Sequence, residues 1–378
     1  MKKHLIAAAV AGAFAVPAMA QVTVSGLLDV SAINNSSSKV QAGGGTAVTD
    51  LKATGTGNAA SWNTSVLTFT ATEDLGGGLR ATAVMISQMQ EGDASSGIGN
   101  RERTVALSGG FGSVRFGRFV PAAAVGFHVG GSATLPGTNY HLSTAGAAIA
   151  AGAAPANRMV AGNTRVTMER SSNTIQYTSP SMSGFTVNVN YRLVGTDTTA
   201  SADKAQTTQS GLNLVYSAGP VTLNVGMQDL KTTTEAAAGA AAGTTEKGDL
   251  DYIFGSYNLG VAQVFASYAK RKDSTATNNG VRTNTADINL NSVGVQIPVG
   301  ALALRASTYQ GKDKRSAAVN TDDMKLTGHQ VSAVYALSKR TEVIAALGEQ
   351  AIKRDTAAAL PTATSKVTAN TITLTHRF

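Results

Sequence analysis

In the last eight residues of the chain, 371–378, polar residues alternate with residues that are mostly apolar. Ile372, Leu374 and Phe378 fall on one side, and three threonines and Arg377 fall on the other. The same two-residue period recurs in segments 22–30, 185–192 and 221–228. Because successive side chains of a β-strand point to opposite faces, this period predicts strands with one apolar and one polar face.

Two kinds of connection separate the predicted strands, and they follow each other in strict alternation. The short ones are seven turns at 73–78, 109–112, 179–183, 218–220, 258–260, 298–300 and 337–340. The long ones are eight polar or Ala/Gly-rich loops at about 33–64, 91–100, 119–168, 194–210, 229–248, 273–284, 312–324 and 349–366. Seven turns and eight loops divide the chain into sixteen strands, with both ends on the side of the short turns.

Such a pattern predicts an all-β, sixteen-stranded antiparallel transmembrane β-barrel with long extracellular loops and short periplasmic turns. A soluble two-sheet sandwich has strands of the same local appearance. The barrel is favoured because only closed barrels satisfy every backbone polar group with strands in lipid. After Gln21 the sequence has no run of eighteen apolar residues, so we expect no transmembrane helix.

The first twenty residues have the pattern of a secretory signal peptide. A basic start is followed by an apolar run and by the small residues Ala18 and Ala20, which predicts cleavage before Gln21. The alternative, an N-terminal membrane helix, is disfavoured because the apolar run is too short to cross a bilayer. We therefore expect a barrel domain over 21–378, held without disulfides since the chain has no cysteine.

The formal net charge of +8 comes from scattered lysines and arginines. A basic cluster that would indicate nucleic-acid binding is missing from the sequence. The sequence also shows no metal-ligand spacing, paired carboxylates or nucleophile motif, so we expect no catalytic residue, metal or cofactor. A barrel enzyme or an adhesin remains the alternative outside transport, because long surface loops can bind partners.

Several ordered motifs resemble the general diffusion porins of Gram-negative bacteria, in particular their beta-proteobacterial branch (Neisseria, Comamonas and Burkholderia). They are EDLGGGLRA (73–81), NRERTVALSGGFGSVRFGR (100–118), RSSNTIQYTSPSMSGF (170–185), YALSKRTEV (335–343) and THRF (375–378). The resemblance implies an outer-membrane homotrimer in contact with outer-membrane lipids. It implies passive diffusion of ions and small hydrophilic solutes, and a third loop, here about 119–168, that folds into the lumen and narrows it.

The resemblance also implies which cations line the constriction. Arg101 matches the basic position on the fourth predicted strand, and Arg170 matches the one that opens the sixth. Arg103 is expected to share the inward parity of Arg101. The third loop itself contributes Arg158 and Arg165. The possible opposing acids are Asp29, Glu102 and Glu169.

Segment 119–168 contains no Asp or Glu, which departs from the acidic loop of the resembled porins. A charge that faces a narrow channel acts at low effective dielectric, so a few arginines bias permeation. The sequence therefore predicts a positive constriction that prefers small anions. The alternative within transport is a substrate-selective channel for small anionic nutrients.

Phe378 ends the chain within the last predicted strand. Since the last strand must pair with the first to close a barrel, we expect Phe378 at the periplasmic rim on the lipid face. By the same resemblance, a terminal aromatic residue is the signal that the barrel-assembly machinery reads.

Overall fold

The computed structural model describes residues 21–40, 46–55, 64–89, 97–123, 170–197, 204–235, 243–277, 282–314, 322–356 and 363–378. These residues form strands almost throughout. Among them, no helix has the length and apolar character needed to cross a bilayer.

Seventeen strands follow one another along the described chain. Their bounds are β1 Gln21–Val40, β2 Thr46–Gly55, β3 Val66–Gly76, β4 Leu79–Gln88, β5 Glu102–Gly109, β6 Gly112–Phe119, β7 Ser171–Thr178, β8 Phe185–Asp197, β9 Lys204–Ala218, β10 Val221–Glu235, β11 Thr244–Asn258, β12 Gln263–Thr277, β13 Arg282–Val299, β14 Leu302–Lys314, β15 Asp322–Ala336, β16 Thr341–Thr356 and β17 Ala363–Arg377.

The strands form one closed antiparallel barrel. From β3 to β17, each strand pairs with the next, and β17 pairs with β1 from Leu27↔Arg377 to Val40↔Thr364. β2 and β3 both pair with the same edge of β1, β2 with its second half and β3 with its first. They occupy one place in the wall, so the barrel has sixteen positions and the predicted strand number is confirmed.

All seven predicted short turns connect neighbouring strands at one end of the barrel. Glycines supply the left-handed backbone that tight turns require, for example Gly219 with φ +56° and Gly300 with φ +62°. The start of β1 and the end of β17 lie at this same rim.

The long connections are shorter than the sequence predicts, because the strands continue into them. β1 extends to Val40 and β2 fills 46–55, both inside the loop predicted at 33–64. β13 and β17 likewise begin inside predicted loops. The apolar alternation stops where the wall leaves the lipid, but backbone pairing does not depend on hydropathy and continues in polar hairpins.

Exposure alternates along the strands as the period predicts. On β17, Ile372 and Leu374 are 62% and 48% exposed, whereas Thr373 and Thr375 are fully buried. The exposed phase faces outward and the other faces the barrel interior. Phe378 is 43% exposed at the rim and exchanges two backbone hydrogen bonds with Gly26, which places it at the seam as expected.

The inward face is polar in one part of the wall and apolar in another. Strands β7 to β10 carry amides such as Asn190, Asn213 and Gln228 inward, which the alternation predicts. On β11 and β16 the buried inward phase instead includes Leu250 and Ile344. The inward face of these strands is therefore partly apolar. Apolar side chains pack there in small clusters between neighbouring strands.

Candidate pore constriction

Three of the shortest strands, β5, β6 and β7, stand side by side with eight residues each. The longest connection of the chain lies between β6 and β7. Glu102, Thr104 and Arg115 carry the polar inward phase of β5 and β6, and Phe119 ends β6. These four side chains form the cluster around which the candidate constriction is built.

Arg115 is held in this cluster from two sides. Its Nη1 lies 3.3 Å from Oε1 of Glu102, and the hydroxyl of Thr104 donates to the same oxygen at 3.0 Å. The guanidinium carbon lies 3.9 Å from the centre of the Phe119 ring, within the range of a cation–π interaction. Phe119 is 1% exposed, so the ring is a fixed support for the cation.

The chain that follows β6 turns into the interior. The amide of Ala122 donates to Oε1 of Gln176 at 2.8 Å, and Gln176 belongs to the buried inward phase of β7. Ala123 is fully buried, and a Cβ added to Gly211 on β9 would lie 2.9 Å from its Cβ. The start of the third loop therefore packs on the inner side of β7 to β9. Residues 124–169 lie outside the described residues.

A ladder of side-chain hydrogen bonds crosses the wall beside this segment. The hydroxyl of Thr178 donates to Asn188 at 2.7 Å, and the Asn188 amide donates to Asn213 at 3.0 Å. The Asn213 amide donates in turn to Asn224 and, at 2.8 Å, to the hydroxyl of Tyr252. Five strands, β7 to β11, are thus joined by inward polar groups in addition to their backbone pairing.

The predicted constriction cations differ in where the structure places them. Arg101 precedes β5 and donates from Nη1 to Oε1 of Gln88 at 2.7 Å, and Gln88 has inward parity on β4. Arg170 precedes β7, and its carbonyl accepts from Arg118 at 3.2 Å. Both lie at the edge of the candidate constriction. Arg158, Arg165 and Glu169 lie outside the described residues.

Arg103 lies on the outer surface, which corrects its expected inward position. It alternates with Thr104, which is buried, and shares the outward phase of Val105 and Leu107, which are 58% and 40% exposed. Its partner on β4 is Met85, another exposed residue.

The reason for the difference is the register of β5, which does not include Arg101. In the register of β5 with β4, Glu102 is opposite the inward Ile86 and Arg103 is opposite the outward Met85, so Glu102 faces inward and Arg103 faces outward. Arg101 lies before the strand and reaches the inward Gln88 without following its period. The parity of Arg101 therefore does not transfer to Arg103.

The two described candidate acids have different surroundings. Glu102 faces the interior and pairs with Arg115, as described above. Asp29 has an inward position on β1 but is fully buried. Its Oδ1 accepts from Ser31 at 3.2 Å, and its Oδ2 accepts from Thr375 at 2.9 Å. Asp29 thus ties β1 to β17 across the barrel seam.

The sequence analysis named site arginines from matched positions, from the parity of Arg101 and from the third loop, and it missed four inward arginines: Arg115, Arg192, Arg271 and Arg305. Arg271 pairs with Asp273, and Nε of Arg305 donates to Gln296 at 2.7 Å. Within the described residues, no carboxylate lies within ion-pair distance of Arg192 or Arg305. Their positions on the polar face of alternating strands could have identified them from the sequence. Their side chains add positive charge to a wall that also carries the inward acids Asp29, Glu102, Asp273, Asp313 and Glu342.

The described part of the chain contains no group of three or more histidine and acidic residues able to hold a metal ion. Within that part, the site consists of a polar, arginine-bearing wall and an inward-folded chain segment. Such an arrangement restricts and orients charged solutes by size and field.

Comparison with known proteins gives consistent results. A family model described as Gram-negative porin matches residues 7–355. An outer membrane porin of Delftia acidovorans is 30% identical over 353 residues, which cover 90% of this chain and 87% of that protein. An outer membrane porin of Bordetella pertussis is 26% identical and covers 91% and 93% of the two chains.

Solved structures agree at the level of the fold. An anion-selective porin from Comamonas acidovorans superimposes with a TM-score of 0.62 at 23% identity, covering 95% of this chain and all of that one. A trimer form of an outer membrane protein of Vibrio cholerae has a TM-score of 0.60 at 12% identity, covering 95% of this chain and 99% of that one.

Proposed function

Because the chain belongs to the Gram-negative porin family, we propose that it forms a passive diffusion channel with a preference for small anions. As a porin, it is a barrel protein of the outer membrane and acts as a channel rather than as an enzyme. Ions and small hydrophilic solutes cross the closed wall through the lumen, down their own gradients. Size exclusion at the constriction and the field of the wall set the rates.

The observation that carries the anion preference is that two inward arginines form no ion pair among the described residues. Arg192 and Arg305 have no carboxylate within ion-pair distance among the described residues, whereas Arg115 is paired with Glu102. The third-loop sequence, 119–168, adds two arginines and no acid. In a confined aqueous path bounded by protein, such charges attract anions and repel cations over several ångströms. The anion selectivity of the Comamonas porin is consistent with this proposal.

Assembly is part of the same proposal. A homotrimer is supported by the trimer form of the Vibrio neighbour. Phe378, at the end of the closing strand, is the residue through which the barrel-assembly machinery would recognise the chain. Removal of residues 1–20 as a signal peptide would leave Gln21, where β1 begins, as the first residue.

The test is the conductance of the purified, folded protein in planar bilayers, followed by the reversal potential in a KCl gradient of about tenfold. Ohmic steps in groups of three and a potential of the anion-selective sign are expected. A cation-selective potential would refute the role given to the inward arginines, although the protein would still be a channel. Conductance that saturates with one anionic nutrient would indicate the substrate-selective channel instead.

A further inference from the structure

Four polar side chains lie together on β13, β14 and β15: Gln296, Arg305, Gln330 and Ser332. Arg305 is the register partner of Gln296 on one side and of Ser332 on the other. Gln330 lies two residues before Ser332 and is therefore diagonally opposite Arg305. Directly opposed residues on one face of a sheet have Cβ atoms only about 5 Å apart, and diagonal neighbours are within reach of long side chains. We call these four residues the Arg305 cluster.

The Arg305 cluster faces the lumen. On β14, Arg305 alternates with Leu304, which is 43% exposed on the outer surface. On β15, Gln330 and Ser332 are 5% and 7% exposed, whereas Val331 between them is 50% exposed. Since successive residues of a strand point to opposite faces, the cluster belongs to the inner side of the wall.

Gln296 orients the guanidinium of Arg305. Nε of Arg305 donates to Oε1 of Gln296 at 2.7 Å. Within the described residues, the two terminal nitrogens of Arg305 have no hydrogen-bond partner. A guanidinium presents its donors in a planar fork that matches the two oxygens of a carboxylate. Because Gln296 occupies the Nε–H, the donors on the terminal nitrogens are the ones available to a solute.

Gln330 and Ser332 place neutral hydrogen-bonding groups beside this guanidinium. The amide atoms of Gln330 and the hydroxyl of Ser332 are buried, and none of them has a hydrogen-bond partner in the described part of the chain. A buried polar group without a partner costs free energy. A ligand that pairs with these groups recovers that free energy, so the cluster favours a solute with several acceptor atoms.

The surrounding charge limits the charge of such a solute. Arg305 is the one cation among the four residues of the cluster. Glu342 is close enough to Arg305 to interact with it electrostatically, and it forms an ion pair with Arg377 at 2.8 Å. A dianion would bring its second charge toward the Glu342 carboxylate, whereas a singly charged anion is balanced by Arg305 alone.

We propose that the Arg305 cluster binds small monocarboxylates as they pass through the lumen. The carboxylate oxygens accept from the terminal nitrogens of Arg305, and the Ser332 hydroxyl and the Gln330 amide donate to the same group. The proposal rests on the proposed function, because it names a class of anion that the channel receives.

The Arg305 cluster is separate from the candidate constriction. β14 stands eight strands from β6 in a wall of sixteen positions, which is halfway round the barrel. Arg305 and Arg115 each lie three residues after the start of their strand, and both strands start at the short-turn end. The cluster therefore lies across the lumen from Arg115 and Glu102.

The experiment measures single-channel current in mixtures of KCl and potassium acetate at constant total concentration. A solute that binds in a channel lowers the current carried by other ions, so bound acetate reduces the chloride current by more than its share of the anions. Q330M/S332A removes the neutral groups of the cluster and keeps every charge and nearly the same volume. Q263M/S267A is the matched control on β12, because Gln263 and Ser267 are already hydrogen-bonded, to Ser256 and Ser292.

We expect Q330M/S332A to raise the acetate concentration for half-maximal block about 3- to 10-fold, and the control to leave it within about twofold. R305Q should raise it at least about tenfold, because it removes a charge-assisted hydrogen bond. Propionate should block as acetate does, since the carboxylate is the group recognised, and uncharged acetamide should not block. Heat-modifiable migration on gels checks that each variant is folded.

Equal acetate block of the native protein and Q330M/S332A would overturn the proposal, and so would the absence of block in the native protein. An equal loss in Q263M/S267A would show a general effect of the lumen and would also overturn it. Tighter block by succinate than by acetate would refute the preference for a single carboxylate. The reversal potential of Q330M/S332A in a KCl gradient should equal that of the native protein, because no charge changes. A cation-selective native protein would instead refute the proposed anion preference, which the acetate measurement does not test.

Discussion

The aromatic ring of Phe378 lies over Gly26 at the seam of the barrel. A Cβ added to Gly26 would clash with Cζ of that ring. The amide of Gly26 donates to the Phe378 carbonyl at 2.9 Å, and the Phe378 amide donates back at 3.1 Å. The ring and the glycine therefore fit together at the seam, where these two hydrogen bonds extend the pairing of β1 with β17. The same relation holds inside the barrel, where the ring of Tyr309 covers Gly328.

The first prediction concerns this seam. G26A should force the Phe378 ring away from the wall and lower the free energy of unfolding by about 1–3 kcal/mol. The measurement is guanidinium unfolding of the protein from lipid vesicles. G255A is the matched control, since the nearest atom to a Cβ there lies at 3.7 Å. Equal destabilisation by the two variants would contradict the role of the ring. F378A combined with G26A should cost less than the sum of the single changes.

The second prediction separates inward from outward arginines. R115Q removes a charge that faces the interior and leaves Glu102 without its partner, so the anion-to-cation permeability ratio should fall several-fold. R103Q removes an equal charge from the outer surface of the same strand pair and should leave the ratio unchanged. Reversal potentials in a KCl gradient measure both. Equal shifts in the two variants would show that the wall parity of β5 is wrongly assigned.

The third prediction contrasts the two described acids. E102Q should raise the anion-to-cation permeability ratio, because its carboxylate opposes Arg115 at the candidate constriction. D29A should change the ratio less but should lower the unfolding free energy by about 1–3 kcal/mol, since Ser31 and Thr375 lose a buried acceptor. Reversal potential and guanidinium unfolding are measured on each variant. A larger permeability change in D29A than in E102Q would place Asp29 in the ion path.

The fourth prediction concerns the amide ladder. N213A interrupts hydrogen bonds to Asn188, Asn224 and Tyr252 and leaves buried polar atoms without partners, which should cost about 1–3 kcal/mol of unfolding free energy. N289A is the control, because it removes a single exposed hydrogen bond, from Tyr268, and should change stability by no more than about 0.5 kcal/mol. Stability of N213A equal to that of the native protein would mean that water replaces the ladder.

Much of the fold follows from local pattern. The two-residue period marks the strands, and the turn sequences mark seven of their connections. Since turns and loops alternate, the count of sixteen wall positions and the closing role of Phe378 follow as well. These features can be predicted from the sequence because strand parity and turn conformation depend on residues within a few positions of each other.

The lengths of the strands were harder to predict from the sequence. Hairpins such as β1 and β2 continue through polar sequence that carries no alternation, because backbone hydrogen bonds hold them after the apolar face has ended. The alternating pattern identifies the part of a strand that contacts lipid. It does not identify strand pairing that continues outside the lipid.

The site depended most on tertiary structure. Arg103 faces outward and not into the lumen because the register of β5 places Glu102 inward and the next residue outward. The burial of Asp29 required Thr375, a residue 346 positions away in sequence, to lie across the seam. The sequence by itself determined that the chain forms alternating strands in a closed wall, because that information is local. Only the tertiary structure decided which charges meet inside the wall, because their distances are set by pairing and closure between residues far apart in the chain.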